Sequence, residues 1–191
     1  MSKLLYKKLR SELYGELSEL TFRFIGDLEK CMQCGKCCRD LLQTDRGILR
    51  GLTLLPDEVD LFPEDIVEPY LGLGKRPYES GFTVIAYQLT VDECTKLVEN
   101  ICTVYETRPT TCRQFPFSLD IDEDNDPVIG IDMNCPAASE MVSNLDGQVE
   151  FTDRKEAEKL FELSREVTAN PRKAWIYDLG SMKWVRFDRI G

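Results

Sequence analysis

Four cysteines fall within eight residues in the pattern Cys31-x-x-Cys34-x-x-Cys37-Cys38. Two-residue gaps let a loop curl so that successive sulfur atoms point at one centre, and zinc knuckles and iron–sulfur loops both use this spacing. Gly35 can adopt the left-handed backbone conformation that such a tight loop requires. The pattern therefore predicts a metal site built from thiolates. The side chains of adjacent residues tend to diverge, so Cys37 and Cys38 are not expected to bind one small ion together.

The other four cysteines are Cys94, Cys102, Cys112 and Cys135. Cys135 precedes Pro136, as the last ligand of a bacterial ferredoxin loop precedes a proline, although the position of Cys38 breaks the ferredoxin spacing. We expect metal ligands among all eight cysteines. The favoured ligands are Cys31, Cys34, Cys37 or Cys38, Cys112 and Cys135. Cys94 and Cys102 are weaker candidates, and the residues leave open whether there are two four-sulfur sites or one site with spare thiols.

Several other uses of these cysteines are less consistent with the sequence. The chain has no histidine, which excludes a Cys/His zinc finger, a Ser-His-Asp triad and a histidine general base. The N-terminal segment lacks the uninterrupted apolar core of a signal peptide, so we expect a cytosolic protein whose thiols stay reduced rather than a disulfide framework. A free cysteine can also be a small buried hydrophobe, which would suit Cys94 but not four cysteines within eight residues.

Cationic side chains accompany the cysteines in an acidic chain. The net charge of −10 and the pI near 4.7 argue against binding to nucleic acid or to an anionic membrane surface. The partner we expect is another protein or a redox partner, whose identity the sequence does not give. A metal centre with four thiolates carries about two negative charges, which need cations or N–H donors nearby when the centre is buried. Arg108 and Arg113 bracket Cys112 and are the candidates for this role at the cofactor. Both could instead pair with carboxylates such as Glu106.

Helices are predicted at both ends of the chain. Leucines recur at three- and four-residue steps from Leu5 to Leu20, which predicts an amphipathic helical extension over residues 1–24. Near the C-terminus, Thr152 can cap a helix that ends at Asn170-Pro171. The aromatic runs that follow predict a terminal hairpin, so residues 151–191 form a helix plus a hairpin.

Short elements are predicted between these ends. A helix should run from Pro56 to Pro63, and residues 64–81, rich in proline and glycine, should be irregular. Residues 83–89 predict a strand, and the runs FPFSLDI and VIGIDM predict a hairpin around an acidic turn. No apolar run is long enough to span a bilayer. The expected fold is α+β: one cysteine-rich metal-binding domain over 1–191, with a core at 31–137 and helices flanking it on both sides.

Three blocks of sequence carry a family resemblance. They are Cys31-Met-Gln-Cys34-Gly35-Lys-Cys37-Cys38; Cys94 and Cys102 followed by Tyr105-Glu106-x-Arg108-Pro109-x-x-Cys112-Arg113-x-Phe115-Pro116-Phe117; and Cys135-Pro136. With this pattern the chain resembles the YkgJ-like cysteine-cluster family, the zinc- or iron-chelating CxxCxxCC proteins. Ala137 stands where the family usually has glycine. The resemblance implies that all eight cysteines belong to the family pattern and that the domain binds a metal.

The resemblance leaves two kinds of function open. A 4Fe–4S cluster serving redox or protein-modification chemistry is our first expectation, and a Zn²⁺-binding structural or interaction module without catalytic activity is the alternative. A related group that resembles this one methylates lysines of flagellin, so an enzyme here would be an oxidoreductase or methyltransferase-like. The chain contains no glycine-rich nucleotide-binding fingerprint, and its catalytic residues are unassigned.

Overall fold

The computed structural model describes residues 3–6, 23–24, 32–121, 127–143, 149–150 and 154–190. The strands are β1 (Lys3–Tyr6), β2 (Arg23–Phe24), β3 (Gln43–Asp45), β4 (Ile48–Arg50), β5 (Thr53–Leu54), β6 (Val67–Leu73), β7 (Thr83–Leu89), β8 (Leu97–Val98), β9 (Ile101–Cys102), β10 (Phe117–Ile121), β11 (Pro127–Asp132), β12 (Val149–Glu150), β13 (Ala174–Asp178) and β14 (Lys183–Arg186). The α-helices are α1 (Thr110–Gln114), α2 (Pro136–Ser143) and α3 (Arg154–Ala169). Short 3-10 helices lie at Lys36–Cys38, Pro56–Leu61, Glu64–Ile66, Tyr105–Thr107 and Phe187–Arg189.

An antiparallel sheet of five strands, in the order β14-β13-β6-β7-β5, organises the hydrophobic core. One cluster of buried side chains, which includes Leu71, Ala86 and Ile176, packs against Val167 of α3. A second cluster contains Cys38, Leu41, Leu54, Phe62, Leu89 and Cys94. Two of the predicted metal-site cysteines thus lie in the core beside the β5–β7 end of the sheet.

The central strand β6 corrects a prediction from the sequence. Residues 64–81 were expected to be irregular, but Val67–Leu73 pairs with both β7 and β13. The pairing register shifts between Pro69 and Leu71, and a bulge of this kind lets a sheet accept a residue that has no N–H to donate. At Gly72, a Cβ atom would lie 2.2 Å from the Phe82 ring, so this glycine allows close packing. Tertiary pairing therefore outweighs the local turn-forming composition.

The N-terminal segment also departs from the predicted helix where it is described. Lys3–Tyr6 is a strand that pairs antiparallel with β11, and Arg23–Phe24 pairs with β12. The helix prediction is wrong for these two segments, because pairing with neighbouring strands overrides local helix propensity. The rest of that predicted helix lies outside the described residues, as do Thr152 and the acidic turn at 122–126.

Other elements occur where the sequence predicts them. A strand covers Thr83–Leu89, and β10 and β11 form an antiparallel hairpin. The segment after Pro56 is a 3-10 helix, Pro56–Leu61. Helix α3 ends at Ala169, just before Asn170-Pro171, and β13 pairs with β14. Together the strands and helices confirm the α+β class. Among the described residues, no helix combines the length and the hydropathy needed to cross a membrane.

A fully buried amide, Gln88, joins three segments of the core. Its Oε1 accepts a hydrogen bond from the N–H of Gly51 at 2.9 Å, and its Nε2 donates to the carbonyls of Pro69 at 2.8 Å and Tyr177 at 3.0 Å. Gly51 itself is buried against the neighbouring strand, where a Cβ atom would lie 1.7 Å from the carbonyl oxygen of Leu89. This junction holds the chain between β4 and β5 close against β7.

A buried carboxylate, Asp178, closes the turn after β13. Its Oδ1 accepts from the N–H of Leu49 at 2.9 Å and of Gly180 at 3.1 Å, and its Oδ2 accepts from the N–H of Ser181 at 3.1 Å. Burial acts to raise the pKa of Asp178, but these hydrogen bonds, with that of the Ser181 side chain, outweigh it and hold the pKa below its ordinary value. The folded state therefore stabilises the charged form of this carboxylate.

We expect Asp178→Asn to lower the free energy of unfolding at neutral pH by about 2 kcal/mol, because an amide cannot accept all three hydrogen bonds. Since the folded pKa is depressed, the stabilisation is fully present above the unfolded pKa and is lost as the pH falls through the folded pKa. The difference in the free energy of unfolding between wild type and variant should thus shrink below pH ~4, the pKa of an aspartate in the unfolded chain. Urea unfolding of both proteins above and below pH ~4 measures this difference. A difference that does not change with pH would contradict the stabilisation of the charged Asp178 carboxylate.

Candidate metal centre

The first cysteine loop is tight and carries three differently exposed sulfurs. Gly35 has a φ of 70° and is buried, as the sequence predicts for a left-handed position. The 3-10 turn Lys36–Cys38 follows, and the N–H of Cys38 donates to the carbonyl of Gly35 at 3.1 Å. Cys34 is exposed, Cys37 is half-buried and Cys38 is buried. Adjacent Cys37 and Cys38 thus differ in burial.

Backbone and side-chain bonds fix the Cys94 segment to this loop. The N–H of Cys94 donates to the carbonyl of Cys38 at 2.8 Å. On the exposed side, the guanidinium of Arg39 donates from Nε to Glu93 at 2.9 Å and from an Nη to the side chain of Asn100 at 2.8 Å. The segment 93–100 is therefore held against the first loop at both ends.

A β-hairpin with a two-residue turn then brings Cys102 back towards the first cysteine loop. Strands β8 and β9 pair Leu97 with Cys102, and the turn residues Glu99 and Asn100 have φ values of 50° and 67°. Positive φ at both central residues is the geometry of the tight type I′ hairpin turn, and asparagine is well suited to it. This turn explains how two cysteines eight residues apart lie in one region.

The sulfurs of Cys37, Cys38 and Cys94 form a hydrogen-bonded group. The Sγ atoms of Cys37 and Cys38 are 3.9 Å apart. Hydrogen bonding with the Cys38 side chain lowers the pKa of Cys94 to about 6 and that of Cys37 to about 7. The same bonds raise the pKa of Cys38, which keeps its proton. These interactions favour the thiolate forms of Cys37 and Cys94, and the thiolate is the form that binds metals.

Cys112 lies in α1 and Cys135 next to α2, and both thiols are affected electrostatically by other cysteines. Cys112 is the third residue of α1, and Cys135 directly precedes α2, where its carbonyl accepts from the N–H of Ser139 at 2.9 Å. Burial raises the pKa of Cys112, and the neighbouring sulfurs of Cys37, Cys94 and Cys102 raise it further. Burial likewise raises the pKa of Cys135, with contributions from Cys34 and Cys37. These mutual effects show that thiols from distant parts of the sequence lie within electrostatic range of each other.

Arg108 supplies positive charge to this region. Its guanidinium lies over the ring of Tyr105, 3.8 Å from the centroid, and its charge acts to lower the pKa of Cys37 and of Cys112. The Nε of Arg108 is buried and has no hydrogen-bond partner within the described segments. A buried N–H of a guanidinium whose charge acts on Cys37 and Cys112 is suited to donate to a thiolate.

Arg113 lies in a different environment. An Nη atom of its guanidinium is 3.9 Å from Glu58 and 3.5 Å from Glu156, which matches the alternative pairing with carboxylates considered from the sequence. Arg108, rather than Arg113, is the arginine whose charge acts on the cysteines.

The donor set fits a thiolate-bound metal. All seven described cysteines are free thiols, and Cys31 lies outside the described residues. Thiols crowded in a buried site repel one another when ionised, and a metal cation would remove that cost by replacing their protons. Across the ranges that the structure describes, no three Cys, Asp or Glu side chains are already arranged around one point for a metal ion. Which of the eight cysteines act as ligands thus stays a prediction.

Sequence reasoning missed two buried polar residues beside Cys112. Glu58 and Thr110 are 7% and 1% exposed, and the Glu58 carboxylate accepts from both the N–H and the hydroxyl of Thr110 at 2.6 Å. The only signal in the sequence was the place of Glu58 in the first turn after Pro56, which suits the helix dipole. Its partner lies 52 residues away, so the pair was not predictable from local pattern.

Comparison with known protein families identifies the cysteine region. A family model described as "CxxCxxCC: Putative zinc- or iron-chelating domain" matches residues 30–136. This range begins one residue before Cys31 and ends one residue after Cys135, and it covers more than half of the 191 residues. Searches of the curated proteins and of the solved structures find no match.

Proposed function

This chain belongs to the CxxCxxCC family of zinc- or iron-chelating domains, and we propose that the metal centre is a 4Fe–4S cluster held by cysteine thiolates. The observation that carries the proposal is the mutual electrostatic effect of thiols from four separate segments, together with the charge of Arg108, which acts on Cys37 and Cys112. Iron–sulfur clusters require cysteine thiolates, and hydrogen bonds and charge near the sulfurs set their potential. Arg108 would supply both the donor and the charge.

We propose Cys34, Cys37, Cys112 and Cys135 as the ligands. Cys37 influences the pKa of both Cys112 and Cys135, and Cys34 influences that of Cys135, which supports a common centre for these sulfurs. Cys38 and Cys94 are buried in the core and share a hydrogen bond, and Cys94 also acts on the pKa of Cys37 and Cys112. Because of this deeper burial we leave the pair out of the proposed ligand set. Cys31 and Cys102 remain further candidates. A bound cluster would supply one-electron redox chemistry, with the acidic chain working in the cytosol beside a protein redox partner.

A zinc-binding structural module is the second candidate. The segments that carry the cysteines are short: a three-residue 3-10 turn, two strands of two residues and a five-residue helix. Such segments gain stability when a metal ion cross-links them, and a structural zinc ion does so through four thiolate ligands. In that case the metal stabilises the loops and the domain has no catalytic activity.

Metal analysis of anaerobically purified protein separates the two. The cluster proposal predicts about four iron and four sulfide ions per chain and a brown protein that absorbs broadly near ~400 nm. A colourless protein with about one or two zinc ions, each bound by four thiolates, would support the structural module instead. Absence of both metals from protein purified under these conditions would contradict metal binding by this chain.

A further inference from the structure

We infer that Glu58 is a positioning residue of the metal centre, which sets the place of Cys112 through Thr110. The inference rests on the proposed metal binding and adds a residue outside the cysteine pattern. Glu58 lies in the 3-10 helix Pro56–Leu61, far in sequence from the cysteines, and it touches no sulfur in the contacts described. It acts through the helix that carries a ligand.

The contact between Glu58 and α1 is short and buried. Oε1 of Glu58 accepts from both the N–H and the hydroxyl of Thr110 at 2.6 Å, and Thr110 is the first residue of α1. The other oxygen, Oε2, accepts from the N–H of Leu55 at 2.9 Å, so the carboxylate is itself held from two sides. Hydrogen bonds to a charged acceptor in a buried place are among the stronger ones in proteins.

A second carboxylate extends the contact to α3. Glu156 lies 3.5 Å from the Arg113 guanidinium and 3.4 Å from the Thr110 hydroxyl, and Lys159 lies 3.2 Å from the same carboxylate. Both ends of α1 are therefore tied to other elements by charged groups. This arrangement accounts for the position of Arg113 without any contact to the cysteines.

The length of α1 makes this attachment important for Cys112. The helix has only five residues, and Cys112 lies two residues after Thr110, where its N–H donates to the carbonyl of Pro109 at 2.9 Å. A helix this short has little stability of its own. The Thr111 hydroxyl adds one more bond, to the carbonyl of Thr53 at 2.8 Å, so we expect loss of Glu58 to loosen Cys112 rather than release it.

The test compares how fast variants release their metal. Wild type, Glu58→Gln and Thr110→Val are purified anaerobically, and loss of the bound iron or zinc to excess EDTA is followed at pH 7. A residue that orients a metal ligand typically changes metal affinity by 10- to 100-fold, so we expect release from both variants to be about tenfold faster or more. Thr110→Ser retains the hydroxyl and should release metal within about threefold of the wild-type rate.

Asp178→Asn is the matched control, because it also removes charged hydrogen bonds from a buried carboxylate but at the turn after β13. It should lower the melting temperature and leave the release rate within about twofold of wild type. If Glu58→Gln and Thr110→Val release metal no faster than Asp178→Asn, Glu58 has no positioning role, and the proposed metal binding stands. If wild type holds neither iron nor zinc, the proposed function and this inference fail together.

Discussion

Replacing Cys37 with serine is expected to reduce bound metal to below about a tenth of the wild-type content. Cys37 influences the pKa of both Cys112 and Cys135, and its sulfur lies 3.9 Å from that of Cys38, within hydrogen-bonding distance. A serine hydroxyl ionises far less readily than a thiol and is a poor ligand for the iron and zinc that thiolates bind. Because metal binding contributes to folding free energy, the melting temperature should fall as well. Elemental analysis and a thermal scan of the anaerobic protein measure both.

Cys94→Ser is the matched control for this experiment. It makes the same chemical change at a cysteine that belongs, by our assignment, to the buried pair with Cys38 and not to the ligands. It should lower stability but retain most of the metal. Equal metal loss in the two variants would show that the assignment of ligands is wrong, and full retention in Cys37→Ser would remove Cys37 from the centre.

Replacing Gly51 with alanine should have the largest effect on the fold itself. The new Cβ would lie 1.7 Å from the carbonyl oxygen of Leu89 and 2.8 Å from its carbonyl carbon. These are backbone atoms of β7, so no side-chain rotation relieves the overlap. Separating the two segments would also strain the hydrogen bond from Gly51 to Gln88. We expect a loss of more than about 4 kcal/mol in the free energy of unfolding, measured by urea titration.

Gly47→Ala provides the comparison. Gly47 has a φ of 79° and a Cβ there would have no atom within 4 Å, so the substitution introduces backbone strain without overlap. A non-glycine residue in the left-handed region costs about 1–2 kcal/mol. A Gly51→Ala protein as stable as Gly47→Ala would mean that the chain between β4 and β5 is not packed against β7 as described.

Local patterns were sufficient where a segment determines its own structure. The β-branched and aromatic residues at 83–89 predicted β7, and Gly35 predicted the left-handed position in the first cysteine loop. The cysteine spacing identified the family, because a metal-binding loop needs its ligands at short, fixed spacings along the chain. In these cases the information lies within a few residues.

Partners distant in sequence were not predictable in the same way. Pro69 suggested irregular structure, but a shift in strand register accommodates it in the central strand β6. Glu58 pairs with Thr110 across 52 residues, and Arg113 is directed to carboxylates on two other elements. Such contacts depend on how the whole chain packs, and no periodic pattern in the sequence predicts them.

The central claim is that cysteine sulfurs from separate parts of the chain bind one metal centre. X-ray absorption at the iron or zinc edge of the anaerobically purified protein tests it most directly. We predict sulfur as the nearest neighbour of the metal, at about 2.3 Å, with iron–iron scattering in addition if the centre is a cluster. Nearest neighbours of the metal that are mainly oxygen or nitrogen would contradict the claim, because the proposed ligands are all cysteine thiolates.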